Sequence, residues 1–302
     1  MAARRQTTRL RALPFESFYG VELPARAAVL GGQRRAEREL LREFRESTAR
    51  SKQLTAASNR THAALLDSLK KDKRTADGVR GLRQLHDRLS RQTLRVPTGP
   101  KASQRIFTGS IGGTVVPPYN YPWTWFSTSG SGSHTESANV SSGAIATRLN
   151  TGSEGSSYAT DFASVGIFFY PQPDCPTQLQ VWSTPAFNFN WWTICAFASA
   201  HSDGWIGLRV DTYNLAGALV GTPVYQKNSL WWDDSWWSGA SNSGSNSGYP
   251  LYARLTVDKD HWYAIRVWCG GTVSAAGWST FSGSAAQASI SASVPSITWQ
   301  LG

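Results

Sequence analysis

The stretch LYARLTVDKDHWYAIRVWCG, residues 251–270, is the part of the sequence that decides the fold. Apolar residues alternate with polar or aromatic ones over residues 251–257, and a second alternation follows over residues 262–270. Because successive side chains of a strand point to opposite faces, a period of two predicts two β-strands. The polar residues 258–261 between them predict a hairpin turn.

The same pattern recurs on both sides of this stretch. Segments with strand character are separated by Gly, Ser, Asn and Pro turns without an intervening helix, which predicts an antiparallel β-sandwich of jelly-roll type over residues 105–302. Two Gly/Ser/Asn-rich segments, 127–143 and 238–249, are predicted to be flexible loops. The further strand candidates are 143–149, 164–170, 178–184, 193–199, 205–212, 218–225, 285–294 and 297–300.

The first third of the chain has a different composition. Residues 1–100 contain 22 Lys and Arg against 10 Asp and Glu, whereas residues 101–302 contain 8 against 10. All 14 tryptophans lie in the second part. The change predicts four regions: a docking segment (1–31), a helical coiled-coil stalk (32–95), a Pro/Gly linker (96–104) and the sandwich (105–302).

The predicted stalk lacks proline between Gly32 and Leu94 and is rich in good helix formers. Its apolar stripe, running at three- and four-residue spacing from Leu41 to Val79, is too narrow to stabilise an isolated helix. We therefore expect self-association into a parallel coiled coil, with a trimer favoured over a dimer. The rival structure breaks the helix near Gly78 and Gly81, so that a second short helix turns back.

Aromatic clusters provide the candidate binding residues. Indole and phenol faces stack on sugar rings, while neighbouring carboxylates and amides accept hydrogen bonds from hydroxyls; the same side chains dominate protein–protein hot spots. We expect the first cluster to lie at a strand end or on a loop and the other two on loops. Some rings then stay exposed to a glycan or a protein receptor, or are buried only when subunits associate. The candidates are Trp231, Trp232, Asp233, Asp234, Trp236 and Trp237, then Asn190, Trp191 and Trp192, and finally Trp123 and Trp125.

Catalytic motifs do not emerge from the sequence. Asp233 and Asp234 are adjacent, and adjacent strand residues face opposite ways, which disfavours a glycosidase pair. A calcium site formed by these two carboxylates and loop carbonyls is an alternative, and otherwise we expect no cofactor. His201 and Asp203 flank one serine, and three consecutive residues cannot form a serine–base–acid relay, so we interpret them as a turn.

Charge and targeting signals limit the partners. Arginines near the N-terminus and the cluster at residues 70–74 would suit nucleic acid, but the acidic residues interleaved with arginines over residues 34–46 are typical of a solvated helix face. The N-terminus lacks the apolar core of a secretory signal, and no apolar run is long enough to span a membrane. We expect synthesis in the cytoplasm and release only by lysis or on a larger particle.

These observations favour a non-enzymatic structural or binding protein. An oligomeric stalk would carry a tryptophan-rich head that binds a surface receptor or glycan, as in a fibre or a phage-like particle. Residues 12–28, which combine aromatics with prolines, would dock on a partner protein or on the base of the particle. The alternatives are a capsid-type or shell subunit whose basic arm faces nucleic acid, and a carbohydrate-active enzyme.

Overall fold

A computed structural model describes residues 26–61, 63–69, 71–89, 112–152, 155–171, 177–236, 238–278 and 282–302. Within these ranges three α-helices precede sixteen β-strands. Every strand pairing is antiparallel. The antiparallel, β-rich character predicted for the second part of the chain is therefore confirmed.

The strands form three sheets. The small sheet has the order β1 (Gly112–Val115), β16 (Ile297–Leu301), β6 (Thr177–Ser183) and β12 (Leu251–Val257). The β8 sheet has the order β10 (Asn228–Ser235), β8 (Ala200–Asn214), β13 (His261–Ala275), β5 (Ser157–Phe169) and β2 (Tyr121–Ser129), and β9 (Leu219–Tyr225) also pairs with β8. The β7 sheet has the order β11 (Ala240–Asn246), β7 (Ala186–Ala196), β15 (Gly283–Ser293), β4 (Ala144–Asn150) and β3 (Ser133–Asn139), and β14 (Gly277–Trp278) also pairs with β15.

The two larger sheets share one core, as in a β-sandwich. Alternate residues of β8 and β13, such as Leu208, Val210, Ile265 and Val267, meet residues of the β7 sheet such as Ile290 in a single buried cluster. The small sheet contributes its own apolar side chains to the same cluster. Burial of this continuous apolar surface is the main force that holds the three sheets together.

The stretch 251–270 forms both predicted strands but not the predicted hairpin. β12 pairs with β6, whereas β13 pairs with β5 and β8, so the chain crosses between two sheets at this point. The connecting turn is as polar as expected, since the amide of Asp260 donates to Asp258 Oδ1 at 2.9 Å. Alternation identifies a strand, but the partner of that strand depends on the rest of the sheet.

Both segments predicted to be flexible loops contain strands. Residues 127–143 supply the end of β2 and all of β3, and residues 238–249 supply β11. β3 and β11 are the two ends of the β7 sheet, where half of the strand's backbone groups and most of its side chains face outward. Ser, Asn and Gly are tolerated there because pairing with the neighbouring strand outweighs their weak intrinsic strand propensity.

The helices are α1 (Arg26–Thr61), α2 (Ala63–Leu69) and α3 (Lys73–Leu89). The helical character of the region is as predicted, but the proposed break near Gly78 and Gly81 is wrong, since α3 runs through both. α3 begins instead after Asp72, whose carboxylate accepts hydrogen bonds from the Arg74 amide at 3.1 Å and the Thr75 hydroxyl at 2.9 Å. Such a cap satisfies donors that have no partner inside the helix.

The structure does not show a coiled-coil stalk. Ala36 and Leu40 of α1 pack against Trp123 and Trp205 on the outer face of the β8 sheet. On the opposite side of the sandwich, Leu82, Leu85 and Leu89 of α3 pack against Trp192, Ile194 and Ala285 of the β7 sheet. The narrow apolar stripes of the helices are thus covered, in these stretches, by the aromatic outer faces of the chain's own sheets.

The structure does not test the other predictions made for the N-terminal part of the chain. From Arg45 to Arg74, every side chain that the structure describes is exposed. Residues 12–25 of the docking segment, the basic arm and the linker 96–104 lie outside the described residues, whereas residues 26–28 belong to α1, which begins before the predicted start of the stalk at residue 32. No helix in the described ranges is long and apolar enough to cross a membrane.

Candidate functional site

The stretch around Trp231 lies within an edge strand, β10, and not at a strand end or on a loop as predicted. Alternation turns Trp231 inward, where its ring stacks on Phe189 at 5.2 Å between centroids and its Nε1 donates to Ser202 Oγ at 3.0 Å. Trp231 is 7% exposed, whereas the next residue, Trp232, is 66% exposed. Of this adjacent pair, Trp232 therefore carries the accessible ring.

Asp233 and Asp234 also point to opposite sides. Asp233 turns toward the β7 sheet and accepts hydrogen bonds from the hydroxyls of Thr193 and Ser235, each at 2.7 Å. Asp234 turns outward and contacts His201. The two carboxylates therefore form neither a glycosidase pair nor the suggested calcium site, and the described ranges contain no group of three or more His, Cys, Asp or Glu that could hold a metal ion.

The second aromatic cluster belongs to β7 and is divided between two surfaces. Trp191 faces the core and lies 6.3 Å from Trp231 between ring centroids, whereas Trp192 is buried beneath α3. Asn190 is half-buried. These residues pack the sandwich and its helical cover, so the placement of Trp191 and Trp192 as exposed ligand contacts is wrong.

The third cluster belongs to β2 and lies beneath or beside α1. Trp123 is buried, and Trp125 is half-buried with its ring stacked on Phe162 at 5.8 Å. Trp236, after the end of β10, is also half-buried, and Trp237 lies outside the described residues. The expectation that three loop clusters form one binding edge is therefore not met.

Trp232 belongs to a compact group that we name the His201 cluster: His201, Asp203, Trp232 and Asp234. The register of β8 and β10 places Asp234 opposite His201 and Trp232 opposite Asp203. His201 Nδ1 lies 2.8 Å from Asp234 Oδ1, and His201 Nε2 lies 3.4 Å from Asp203 Oδ2. The Trp232 ring meets the imidazole edge-on, with 4.6 Å between centroids.

The electrostatics of the cluster favour a charged imidazole. Burial by itself lowers the pKa of His201, but the hydrogen bonds to Asp203 and Asp234 outweigh it and raise the pKa to about 9. The hydrogen bond from His201 lowers the pKa of Asp234. At neutral pH the cluster therefore combines one imidazolium, two carboxylates and an exposed indole, and the side chain of Asp234 remains 63% exposed.

A second group of polar and aromatic residues lies on the same face, beneath α1. The Lys227 ammonium is 5.0 Å from the ring centroid of Trp205, 5.5 Å from Tyr225 and 5.9 Å from Trp268. Its Nζ is also 3.9 Å from the carboxylate of Glu43 on α1. Burial lowers the pKa of Lys227, while Glu43 opposes that effect. The chain's own lysine thus fills this aromatic enclosure.

Two buried arginines share one carboxylate beside that enclosure. Arg209 Nε lies 3.0 Å from Asp211 Oδ1, and Arg266 pairs with the other oxygen of the same carboxylate. The Arg266 guanidinium lies over the Trp123 ring at 4.0 Å. Burial lowers the pKa of Arg209, and neighbouring tyrosines together with Glu39 of α1 oppose that effect. All three residues of this group are buried, so it is closed to a ligand in this structure.

Sequence reasoning missed His201 and Asp203 by interpreting them as a turn. They belong to β8, in which His201, Asp203, Trp205, Arg209 and Asp211 share the outer face. The alternation of polar or bulky residues with Ser202, Ile206, Leu208 and Val210 was the signal that could have found them.

Comparisons with known proteins found only weak structural similarity. No protein-family model matches the chain, and no curated protein matches it. Among solved structures, a structure of the enzymatically active domain of bacteriophage CBA120 tailspike protein 4 is 12% identical, with a TM-score of 0.17 over 60% of this chain and 19% of that chain. A structure of infectious bursal disease virus Gx strain is 7% identical, with a TM-score of 0.14 over 61% of this chain and 36% of that chain. The chain thus spans well under half the length of either, and at these TM-scores neither likeness carries an argument.

Proposed function

We propose that this chain is a binding protein whose sandwich contacts a glycan or a surface receptor through the His201 cluster. The observation that carries the proposal is the exposure of Trp232 next to an exposed carboxylate. An indole face stacks on the apolar face of a sugar ring, and Asp234 would accept hydrogen bonds from the ring hydroxyls. Because both residues lie on β10, which pairs with β8, the site is preorganised.

The exposed carboxylate supports hydroxyl recognition. The Asp234 side chain is 63% exposed and can accept hydrogen bonds from a ligand besides its contact with His201. A neutral or amino sugar would satisfy the exposed Asp234 carboxylate.

A glycan array probed with the full chain tests this proposal. Removal of the helices would bare Trp123 and Trp192, and their rings would bind nonspecifically, so a truncated sandwich is unsuitable. We expect Trp232→Ala to abolish binding. Tyr252→Ala is the matched control, because Tyr252 is another exposed aromatic side chain on a strand but lies in the small sheet.

If both variants bind like the wild type, the His201 cluster is not the site. If no glycan binds at all, the same two variants should be compared for capture of a protein receptor, since an exposed tryptophan is also a typical hot-spot residue. Loss of binding in Tyr252→Ala alone would move the site to the small sheet.

We also propose that the chain works as a homo-oligomer, trimer ahead of dimer, within a fibre or a released phage-like particle. Support comes from the sequence stripe, which runs through the helical stretch between Arg45 and Arg74 and is small and polar in its middle, and from the exposure of the side chains that the structure describes in this stretch. Light scattering of the full chain tests this. A single-chain mass at all accessible concentrations would remove the proposal.

A further inference from the structure

β11 is an edge strand with a regular backbone. All seven of its residues pair with β7 in one continuous register from Ala240–Thr193 to Asn246–Phe187, without a bulge. On its other side no strand pairs with it among the residues that the structure describes. The outward-facing amides and carbonyls of such a strand are a template for pairing with a further strand.

Each of the other edges in the described part of the chain has a feature that hinders such pairing. β1 and β14 are only four and two residues long. The longer edge strands contain a proline, a charged side chain or a register shift, all of which oppose the addition of another strand. These features are Pro122 in β2, Glu136 in β3, Pro223 in β9, Asp234 and a bulge after Ser229 in β10, and Arg254 in β12.

β11 has none of these features. Its sequence, Ala-Ser-Asn-Ser-Gly-Ser-Asn, is uncharged and free of proline, and five of its seven side chains are exposed. Asn242 Oδ1 accepts a hydrogen bond from the Ser243 amide at 2.8 Å. A side chain therefore satisfies that amide locally, in a contact that an incoming strand would replace.

We infer that β11 pairs with β11 of a second copy of this chain, antiparallel about a two-fold axis at Ser243. This register places Ser241 opposite Ser245 and Asn242 opposite Gly244. An uncharged strand meets its own copy without like-charge repulsion. A foreign peptide would need pockets for its alternate side chains to be recognised, and Ser and Gly build none, so the strand is best matched to itself.

The pairing is independent of the proposed glycan site. Asp233 of β10 bonds to Thr193 of β7, so the inward side of β10 faces the β7 sheet. Trp232 points to the opposite side of β10 and stays accessible when β11 is paired. A two-fold contact also adds to any association of the helices, because it would join two assemblies edge to edge.

Ser243→Cys tests the register directly. Directly opposed residues of an antiparallel pair have Cα atoms about 4.5–5.5 Å apart, which a disulfide can span. We expect a cross-linked dimer of Ser243→Cys under mild oxidation. Ser137→Cys is the control, because Ser137 is an exposed serine on β3 at the opposite edge of the same sheet, and it should give no more cross-link than the wild type.

Ser243→Lys provides the second measurement. Two lysines at the axis would weaken the β11 contact about fivefold or more in dissociation constant, as followed by light scattering. Thermal unfolding of the variant confirms that it is folded. The inference is overturned if Ser243→Cys cross-links no better than Ser137→Cys, or if Ser243→Lys leaves the mass distribution unchanged, and also if β11 binds only the strand of a different protein.

Discussion

The adjacent residues Trp231 and Trp232 should respond in opposite ways to replacement by alanine. Trp231 is 7% exposed, stacks on Phe189 and donates to Ser202, which is itself completely buried. Its removal leaves a cavity between two sheets and a hydroxyl without its donor, and such replacements cost about 3–5 kcal/mol of unfolding free energy.

Trp232→Ala should lower the free energy of unfolding much less, because two thirds of the Trp232 surface is already exposed to water. About one third of a ~200 Å² indole, roughly 70 Å², at about 25 cal/mol/Å² sets an upper bound near 1.7 kcal/mol. The compactness of the unfolded chain reduces this figure to about 1 kcal/mol.

Thermal unfolding followed by far-UV circular dichroism measures the difference. For a sandwich of this size each kcal/mol shifts Tm by about 2–4 °C, so we expect a loss of about 6–20 °C for Trp231→Ala and about 2–4 °C for Trp232→Ala. Equal losses would refute the assignment of the two rings to opposite faces of β10, and so would a larger loss for Trp232→Ala.

Three further predictions concern buried charge and the helical cover. Asp161 is fully buried, and burial raises its pKa well above the usual value. The native state therefore retains the proton, and the free energy of unfolding falls as pH rises from about 4 through the folded pKa. Asp161→Asn should remove that pH dependence and raise Tm at neutral pH; an unchanged or lower Tm would contradict this. Because the pKa of His201 is raised, the stability contributed by its protonated imidazole is complete below about pH 6.5 and is lost as pH rises through about 9. An NMR titration of His201 should find a midpoint near pH 9, and this midpoint should fall in Asp234→Asn. A midpoint below 6.5 in the wild type would disprove the charged cluster. Leu40 is buried against the aromatic face of the β8 sheet, so Leu40→Asp should release α1 from that sheet. We expect more proteolysis within the helix while the sandwich stays folded. Protease resistance equal to that of the wild type would show that α1 is held elsewhere.

The strands with bulky apolar alternation were predictable from the sequence, and the polar edge strands were not. Residues 251–257 form β12 as predicted because large apolar side chains alternate there with polar ones. β11 contains no large apolar residue, so nothing local distinguishes it from a flexible linker. Its structure depends on hydrogen bonds to β7, which is distant in sequence, and no local pattern reports such a bond.

The candidate site was predictable at the level of single residues but not as a group. Strand alternation explains the divergence of Asp233 and Asp234, and the sequence disfavoured a carboxylate pair on that ground, although it did not predict the strand itself. The burial of Trp123 and Trp192 was not, because it requires knowing that helices from the first third of the chain lie on the outer faces of the sheets. Clustered tryptophans indicate an apolar surface, but they do not tell whether a ligand or another part of the same chain covers it.

The packing of α1 on the β8 sheet also has a consequence for biosynthesis. Leu40 leaves the ribosome more than two hundred residues before Trp268, a member of the aromatic cluster that it joins. At 5–20 residues per second, α1 spends roughly 10–45 s without its sheet. During this interval the nascent chain would expose an uncovered amphipathic helix to chaperones. Ribosomes that translate the same messenger RNA would also bring such helices close together before any of the chains has formed its sandwich.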